Sequence, residues 1–349
     1  MVLIIRKIIY WLLVLGVISG TAYAEETPAV SARSAVLMAD GGEILFSKNE
    51  NEKLPIASTT KIMTAIVVLE NCGLEDKVII QPDSCNIEGS SMYLKAGEEY
   101  SVRQLLQGLM LVSGNDAAHA LALHTAGSID AFAALMNAKA KSLGLDRTNF
   151  KNPHGLNEAE HYSSAEDMAR LMAFCMQNSE FAKLTALKSM KLGEHSFINH
   201  NKLLYIYPGC IGGKTGYTMA SGRCLVSVGE REGSRYICVT LSAPNDWNDH
   251  MSLYDWAFSN YSQRHISENL RFDVPVISGK ADSAVLLAED TCVLLPKKEE
   301  IIIKAELPRF VFAPVQKGEC GGSFKAFCGG ECVAEGRLLY QDDVEVFKE

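Results

Sequence analysis

The spacing of hydrophobic and polar residues changes three times along the chain. Residues 31–48 carry apolar side chains on both sides of Asp40-Gly41-Gly42, which predicts two strands joined by a turn. Helical spacing begins at Ser58, runs through Val68, and returns from about 101 to 190 with an interruption near Gly114. After residue 209 the period becomes two, which predicts three consecutive strands, and residues 247–261 then predict a helix.

Strands at both ends of this region enclose a helical middle, which is typical of the α+β class. We expect one antiparallel sheet built from early and late strands, flanked by helices, with an all-helical subdomain beside it. From residue 267 onward the chain consists of short β-like runs separated by turns, which predicts a small C-terminal β-sandwich. The predicted domains are therefore 25–266 and 267–349.

The first 24 residues have the pattern of a secretory signal peptide. Arg6 and Lys7 precede a short apolar run over 8–18, and Ala22-Tyr23-Ala24 forms a cleavage signal of small residues. The apolar run is short for a membrane span, although an uncleaved anchor is the alternative. We expect an exported, extracytoplasmic protein.

Charge and cysteine content narrow the classes of partner. Removal of residues 1–24 leaves 31 basic and 42 acidic side chains, a net charge of −11, and no basic run suggests a nucleic-acid face.

The ten cysteines are mostly scattered through apolar surroundings, which favours buried or free thiols. Only Cys320, Cys328 and Cys332 cluster, and no nearby histidine offers a fourth zinc ligand, so we expect neither metal nor cofactor.

Candidate chemistry begins at Ser58 and Lys61, which share a face of the predicted helix. A serine hydroxyl attacks well only when a base takes its proton, and a lysine acts as that base when desolvation or a nearby cation lowers its pKa. The alternative is that Ser58 is simply a helix N-cap. We expect the capping position and the nucleophile to be the same residue.

Two later motifs favour catalysis. Ser113-Gly114-Asn115 lies at the helix interruption, where a second hydroxyl could relay a proton and an amide could hold a carbonyl. Lys214-Thr215-Gly216 begins the first late strand, where lysine and threonine could hold a substrate carboxylate. The order S-x-x-K, S-x-N, K-T-G is that of penicillin-binding proteins and serine β-lactamases, and a second lysine near Lys61 would favour its neutral form.

With these motifs in place, the chain resembles the D-alanyl-D-alanine carboxypeptidases, the low-molecular-mass penicillin-binding proteins. The resemblance extends over residues 31–265 and includes "NPHGLNEAEHYSSAEDMARLM", "INHNKLL" and "GGKTGYTMASGRCL". It implies a β-lactamase/DD-peptidase-like fold and removal of the terminal D-alanine from peptidoglycan stem peptides, with β-lactam antibiotics as inhibitors. The β-rich tail matches the family's small C-terminal domain less specifically.

The resemblance also implies roles for individual residues. Ser58 would be the acylated nucleophile and Lys61 its general base, while Ser113 and Asn115 would serve proton relay and substrate binding. Lys214, Thr215 and Gly216 would line the opposite wall. The backbone amides of Ser58 and Tyr217 would form the oxyanion hole.

Several other functions compete with this interpretation. A D-alanyl endopeptidase and a non-catalytic peptidoglycan-binding protein share the motifs or the fold, whereas an efficient β-lactamase would need an E-x-x-L-N segment that is absent. The segment over 209–215 has Pro208 where a phosphate-binding loop requires glycine. A serine–histidine–acid site of His161, Ser163 and Glu166 lacks a G-x-S-x-G turn, and a capping box explains Ser163 and Glu166.

Two features depart from the family pattern. Tyr217 stands where some relatives have histidine, and the acidic sequence "QDDVEVFKE" stands where many have a membrane-binding amphipathic helix. We therefore expect a secreted or wall-associated protein and leave its contact with a membrane open.

Overall fold

A computed structural model describes residues 27–347, so the predicted signal peptide, and with it the alternative of an uncleaved anchor, lies outside the described residues. The first ten strands are β1 Ser34–Ala39, β2 Ile44–Lys48, β3 Lys77–Ile79, β4 Glu99–Ser101, β5 Ser189–Leu192, β6 His195–Ile198, β7 Cys210–Thr218, β8 Gly222–Arg231, β9 Ser234–Leu241 and β10 Tyr261–His265. The helices are α1 Lys61–Asn71, α2 Val102–Leu111, α3 Asn115–Ala126, α4 Ile129–Ser142, α5 Ala165–Met176, α6 Ser179–Ala186, α7 Leu203–Ile206 and α8 Asp246–Asn260.

The central sheet joins both ends of the first region, as the sequence predicted. Its order is β2-β1-β9-β8-β7, and every neighbouring pair is antiparallel. In this order β1 pairs with β9, about 200 residues later in the chain, and β7 forms the outer edge beside the first turn of the helical region. The predicted α+β fold is confirmed.

Alternate residues of the central strands enter two different apolar cores. Val36 and Met38 of β1 pack against the helices α1 to α5, while Leu37 and Ala39 pack on the opposite face beneath α8. Because β1 is covered on both faces, all six of its residues are buried. The sheet is therefore a rigid support for residues on its β7 edge.

The helical middle is less continuous than its spacing suggested. Residues 143–164 form an irregular loop between α4 and α5, and residues 189–198 form the β5–β6 hairpin. The helix caps predicted at Ser163 and Ser58 were also wrong. The cap of α5 is Ser164, whose hydroxyl accepts from the Asp167 amide, because Ser163 instead pairs with Leu54 in a β-bridge.

Ser58 is not a cap either. It lies in a 3-10 turn, Ala57–Thr60, that leads into α1, and neither the turn nor the helix has a side-chain cap. The Ser58 hydroxyl contacts the Lys61 side chain three residues later, so it does not satisfy a backbone amide. The capping and nucleophile interpretations of this serine are thus alternatives, and the structure favours the second.

Residues after 266 are largely β, as predicted. The strands are β11 Arg271–Ile277, β12 Ser283–Ala288, β13 Cys292–Pro296, β14 Ile301–Glu306, β15 Val311–Phe312, β16 Cys320–Cys328 and β17 Glu331–Tyr340. Six of them form one sheet in the order β14-β16-β17-β12-β11-β15 around a separate apolar core, whereas β13 pairs with β10. The predicted boundary at 266 thus falls just after a strand, β10, that pairs across it.

All ten cysteines are free thiols, and seven of them are buried or half-buried. Between residues 27 and 347, no set of three or more histidine, cysteine or acidic side chains is placed to hold a metal ion. In the same range, no helix has both the length and the apolar character needed to cross a bilayer.

Candidate active site

Lys61 lies at the first turn of α1 with its side chain fully buried. Its Nζ is 3.0 Å from the Ser58 Oγ, 2.6 Å from the Asn115 Oδ1 and 2.7 Å from the His154 carbonyl oxygen. These partners come from three separate segments of the chain. The sequence predicted that Ser58 faces this lysine and assigned Asn115 to substrate binding, but it revealed neither the Asn115 contact with Lys61 nor the His154 carbonyl.

The lysine pair has unusual electrostatics. Burial is the main cause that lowers the pKa of Lys61 well below its ordinary value, and the positive charge of Lys214 lowers it further, against an opposing effect of Asp116. Burial also lowers the pKa of Lys214, to about 7. The proximity expected from the motifs is confirmed, although desolvation is the larger cause for Lys61.

Ser113 and Asn115 occupy the break between α2 and α3. Ser113 has a φ of +61°, a left-handed conformation that is costly for a residue other than glycine. Its buried hydroxyl finds no hydrogen-bond partner within the described residues. Asn115 is anchored because its Nδ2 donates to the Glu88 carbonyl while its Oδ1 accepts from Lys61. Backbone strain and a buried hydroxyl without a hydrogen-bond partner, as at Ser113, are typical of ligand-binding sites.

The edge strand β7 forms the opposite wall. Thr215, Gly216 and Tyr217 line the cleft, and Lys214 is buried behind them with its Nζ donating to the Thr215 carbonyl at 2.8 Å. A Cβ on Gly216 would lie 3.0 Å from the Ser58 amide nitrogen and 3.0 Å from the Ile56 carbonyl oxygen. Glycine therefore allows β7 to approach the serine turn this closely.

The irregular loop over 149–164 supports the serine turn from behind. The Thr64 hydroxyl donates to the Pro153 carbonyl, and the His161 Nε2 lies 2.8 Å from the Thr60 Oγ1 while its Nδ1 accepts from the Lys151 amide. Burial lowers the pKa of His161 to about 4 and is the main cause that lowers the pKa of His154 to about 3. Both histidines are therefore neutral at pH 7 and organise the loop, as the sequence suggested.

A cleft of about 940 Å³ is lined by Ser58, Ser113 and the β7 residues named above. The sequence did not reveal two parts of the lining. One consists of Arg223, Asp246 and Trp247, and the other comes from the β5–β6 hairpin and the residues that follow it, up to Tyr205. The register of the β7–β8 hairpin would have revealed Arg223, because it lies opposite Tyr217 across a short turn.

A serine within hydrogen-bond distance of a buried lysine, beside the edge strand of an antiparallel sheet, is the arrangement expected of a serine hydrolase. The chain belongs to the D-alanyl-D-alanine carboxypeptidase family: the family model matches residues 21–245. This match confirms the resemblance seen in the motifs.

Individual relatives agree with this assignment. The chain is 35% identical over 337 residues to the D-alanyl-D-alanine carboxypeptidase DacF of Bacillus subtilis, covering 91% of this chain and 87% of that protein. Among solved structures, it is similar to penicillin binding protein 5 from Haemophilus influenzae, with a TM-score of 0.74 and 30% identity over 92% of this chain and 99% of the other. It is also similar to penicillin binding protein 6B from Escherichia coli, with a TM-score of 0.76 and 28% identity over 91% and 98%.

Proposed function

We propose that this protein removes the terminal D-alanine from peptidoglycan stem peptides through an acyl-enzyme on Ser58, outside the cytoplasm. The Ser58 oxygen attacks the penultimate carbonyl carbon while Lys61 takes the hydroxyl proton. The tetrahedral intermediate collapses, and D-alanine leaves with a proton returned through Lys61 and Ser113. Water then hydrolyses the ester and regenerates the free serine.

The position of Lys61 carries this proposal. A neutral amine can donate two hydrogen bonds through its protons and accept one through its lone pair. Lys61 has three partners, which is the number that such an amine can bind. The Asn115 Oδ1 and the His154 carbonyl can only accept, so the lone pair is left for the Ser58 hydroxyl proton. The lowered pKa and this hydrogen-bond pattern both favour a lysine ready to act as a base.

The remaining roles concern charge and orientation. The amides of Ser58 and Tyr217 would stabilise the oxyanion, an effect worth about 3–4 kcal/mol for each donor. The close approach of Gly216 to the Ser58 nitrogen supports this pairing.

Thr215 and the Lys214 charge would hold the terminal carboxylate, and Asn115 would orient the peptide. A β-lactam would acylate the same serine and be released slowly. We assign this chemistry to residues 25–266 and a separate β domain to 267–349.

The first test measures D-alanine release from diacyl-Lys-D-Ala-D-Ala and from its counterpart ending in L-alanine. We expect release only from the D,D peptide, and loss of release by at least about 10³-fold in Ser58→Ala and Lys61→Ala. Ser142→Ala, on the outer surface of α4, is the control for a serine substitution. A penicillin adduct mapped by mass spectrometry to a residue other than Ser58 would refute the site assignment.

The same preparation distinguishes the alternatives. Cleavage of a D-alanyl cross-linked muropeptide dimer faster than of the pentapeptide would identify an endopeptidase. Rapid turnover of benzylpenicillin would identify a β-lactamase, which we do not expect because the chain has no E-x-x-L-N segment. A protein that binds muropeptides but neither releases D-alanine nor forms an adduct would be a non-catalytic binding protein.

A further inference from the structure

One wall of the cleft has no role in the chemistry described above. It consists of β6 and the residues that follow, and it contributes Ser196, Ile198, Asn199, His200, Lys202 and Tyr205 to the lining. We call these six residues the hairpin wall. In the proposed function, Ser58 and Thr215 bind only the last two residues of a peptide, whereas the cleft volume of about 940 Å³ is near the upper end of the range for pockets that hold drug-sized ligands, about 300–1,000 Å³. Most of the cleft is therefore available to the rest of the substrate.

The hairpin wall exposes apolar surface inside this cleft. In the β5–β6 hairpin, Phe197 faces the core, so the alternation of the strand turns Ile198 outward with 62% of its surface exposed. Tyr205 follows at 49% exposed, held in place because its hydroxyl donates to the Lys188 carbonyl. Exposed apolar side chains that share a concave surface indicate a binding site more strongly than scattered ones do.

The same wall carries a positive charge. Lys202 is exposed in the cleft, and its ammonium forms no hydrogen bond or ion pair with any residue of the described range. The other lining charges are Arg223 and Asp246, which neutralise one another through three hydrogen bonds. A cationic cleft wall in a chain of formal net charge −9 selects an anionic group.

We propose that the hairpin wall is a subsite for the residue that precedes D-alanyl-D-alanine, and that it selects a long aliphatic side chain ending in a carboxylate. Ile198 and Tyr205 contact the aliphatic part, and Lys202 pairs with the carboxylate. The inference rests on the proposed function, since the scissile peptide bond must lie at Ser58. It adds a preference for the chemistry of the third residue from the carboxyl end of the peptide.

The test uses two peptides that differ by one carboxyl group: Nα-acetyl-Nε-succinyl-Lys-D-Ala-D-Ala and its Nε-propionyl analogue. We expect kcat/KM for the succinyl peptide to be about fivefold higher, as for a partly screened ion pair, and this preference to shrink as salt is added. Lys202→Gln should bring the ratio of the two values close to one. Ile198→Ser should raise KM for both peptides without changing their ratio. Lys141→Gln, an exposed lysine on α4 away from the cleft, should keep the wild-type ratio.

Equal kcat/KM for the two peptides, or an unchanged preference in Lys202→Gln, would overturn the subsite. Binding of both peptides to Ser58→Ala by calorimetry separates this outcome from a failure of the proposed function. A tighter Kd for the succinyl peptide, lost in Ser58→Ala/Lys202→Gln, supports the subsite even if the wild type releases no D-alanine. Equal Kd values for the two peptides contradict it. Thermal unfolding of each variant shows that the fold is retained.

Discussion

Gly155 offers a sharp test of how the loop over 149–164 positions Lys61. A Cβ at this residue would lie 1.9 Å from the Ala57 carbonyl oxygen, whereas real Cβ atoms stay at least 3.0 Å away, so the loop or the serine turn must move by about 1 Å in Gly155→Ala. The same shift would lengthen the 2.7 Å contact between Lys61 and the neighbouring His154 carbonyl by up to about 1 Å, past about 3.5 Å, the distance at which the hydrogen bond is lost.

The expected magnitude follows from these two effects. Alanine at the φ of +86° costs about 1–2 kcal/mol, and loss of a buried hydrogen bond to a lysine adds about 1–3 kcal/mol. We therefore expect the free energy of unfolding to fall by about 2–5 kcal/mol in Gly155→Ala. A displacement of about 1 Å at a catalytic base is expected to slow acylation about 100-fold.

Acylation by a fluorescent penicillin, followed beside urea unfolding, measures both effects. Gly144→Ala is the matched control, because Gly144 also has a positive φ, of +69°, but a Cβ there would meet no atom within 4 Å. It should lose about 1–2 kcal/mol of stability and keep its acylation rate. Wild-type acylation in Gly155→Ala, or an equal loss in Gly144→Ala, would refute the reasoning.

Three further predictions concern charge and thiols. In Lys214→Gln, removal of the neighbouring cation should raise the pKa of Lys61. The acylation rate, measured against pH, should then begin to rise at a higher pH than in the wild type. An unchanged pH profile would show that the two lysines are not coupled. The free energy of unfolding should fall as pH drops from about 6.5 towards 4, because the unfolded chain binds protons at buried histidines whose folded pKa is about 3 to 4. His250→Gln should make this fall shallower by up to about 1.4 kcal/mol per pH unit, and an unchanged slope would contradict the burial of that histidine. An aromatic disulfide reagent should react quickly with three of the ten thiols in the native protein and with all ten in denaturant, and the fast ones should be Cys292, Cys320 and Cys332.

Much of this protein could be predicted from local patterns. Apolar residues on both sides of Asp40-Gly41-Gly42 and period-two spacing after residue 209 identified all five strands of the central sheet, because both patterns reflect burial on a pleated surface. The order of the three motifs identified the residues around Ser58, because each motif is short and holds its residues on one turn or strand.

Tertiary structure decided what surrounds those residues. The acceptor at His154 lies 93 residues from Lys61, and no local pattern reveals which carbonyl a loop will present to a distant lysine. The same holds for Ser58: its S-x-x-K spacing suits both a cap and a nucleophile, and only the packing of β7 and the 149–164 loop against its turn directs the hydroxyl to Lys61. The sequence by itself therefore identified the side chains to which we assign the chemistry. The burial that lowers the pKa of Lys61 is a property of the folded chain, because desolvation depends on every segment that excludes water from the site.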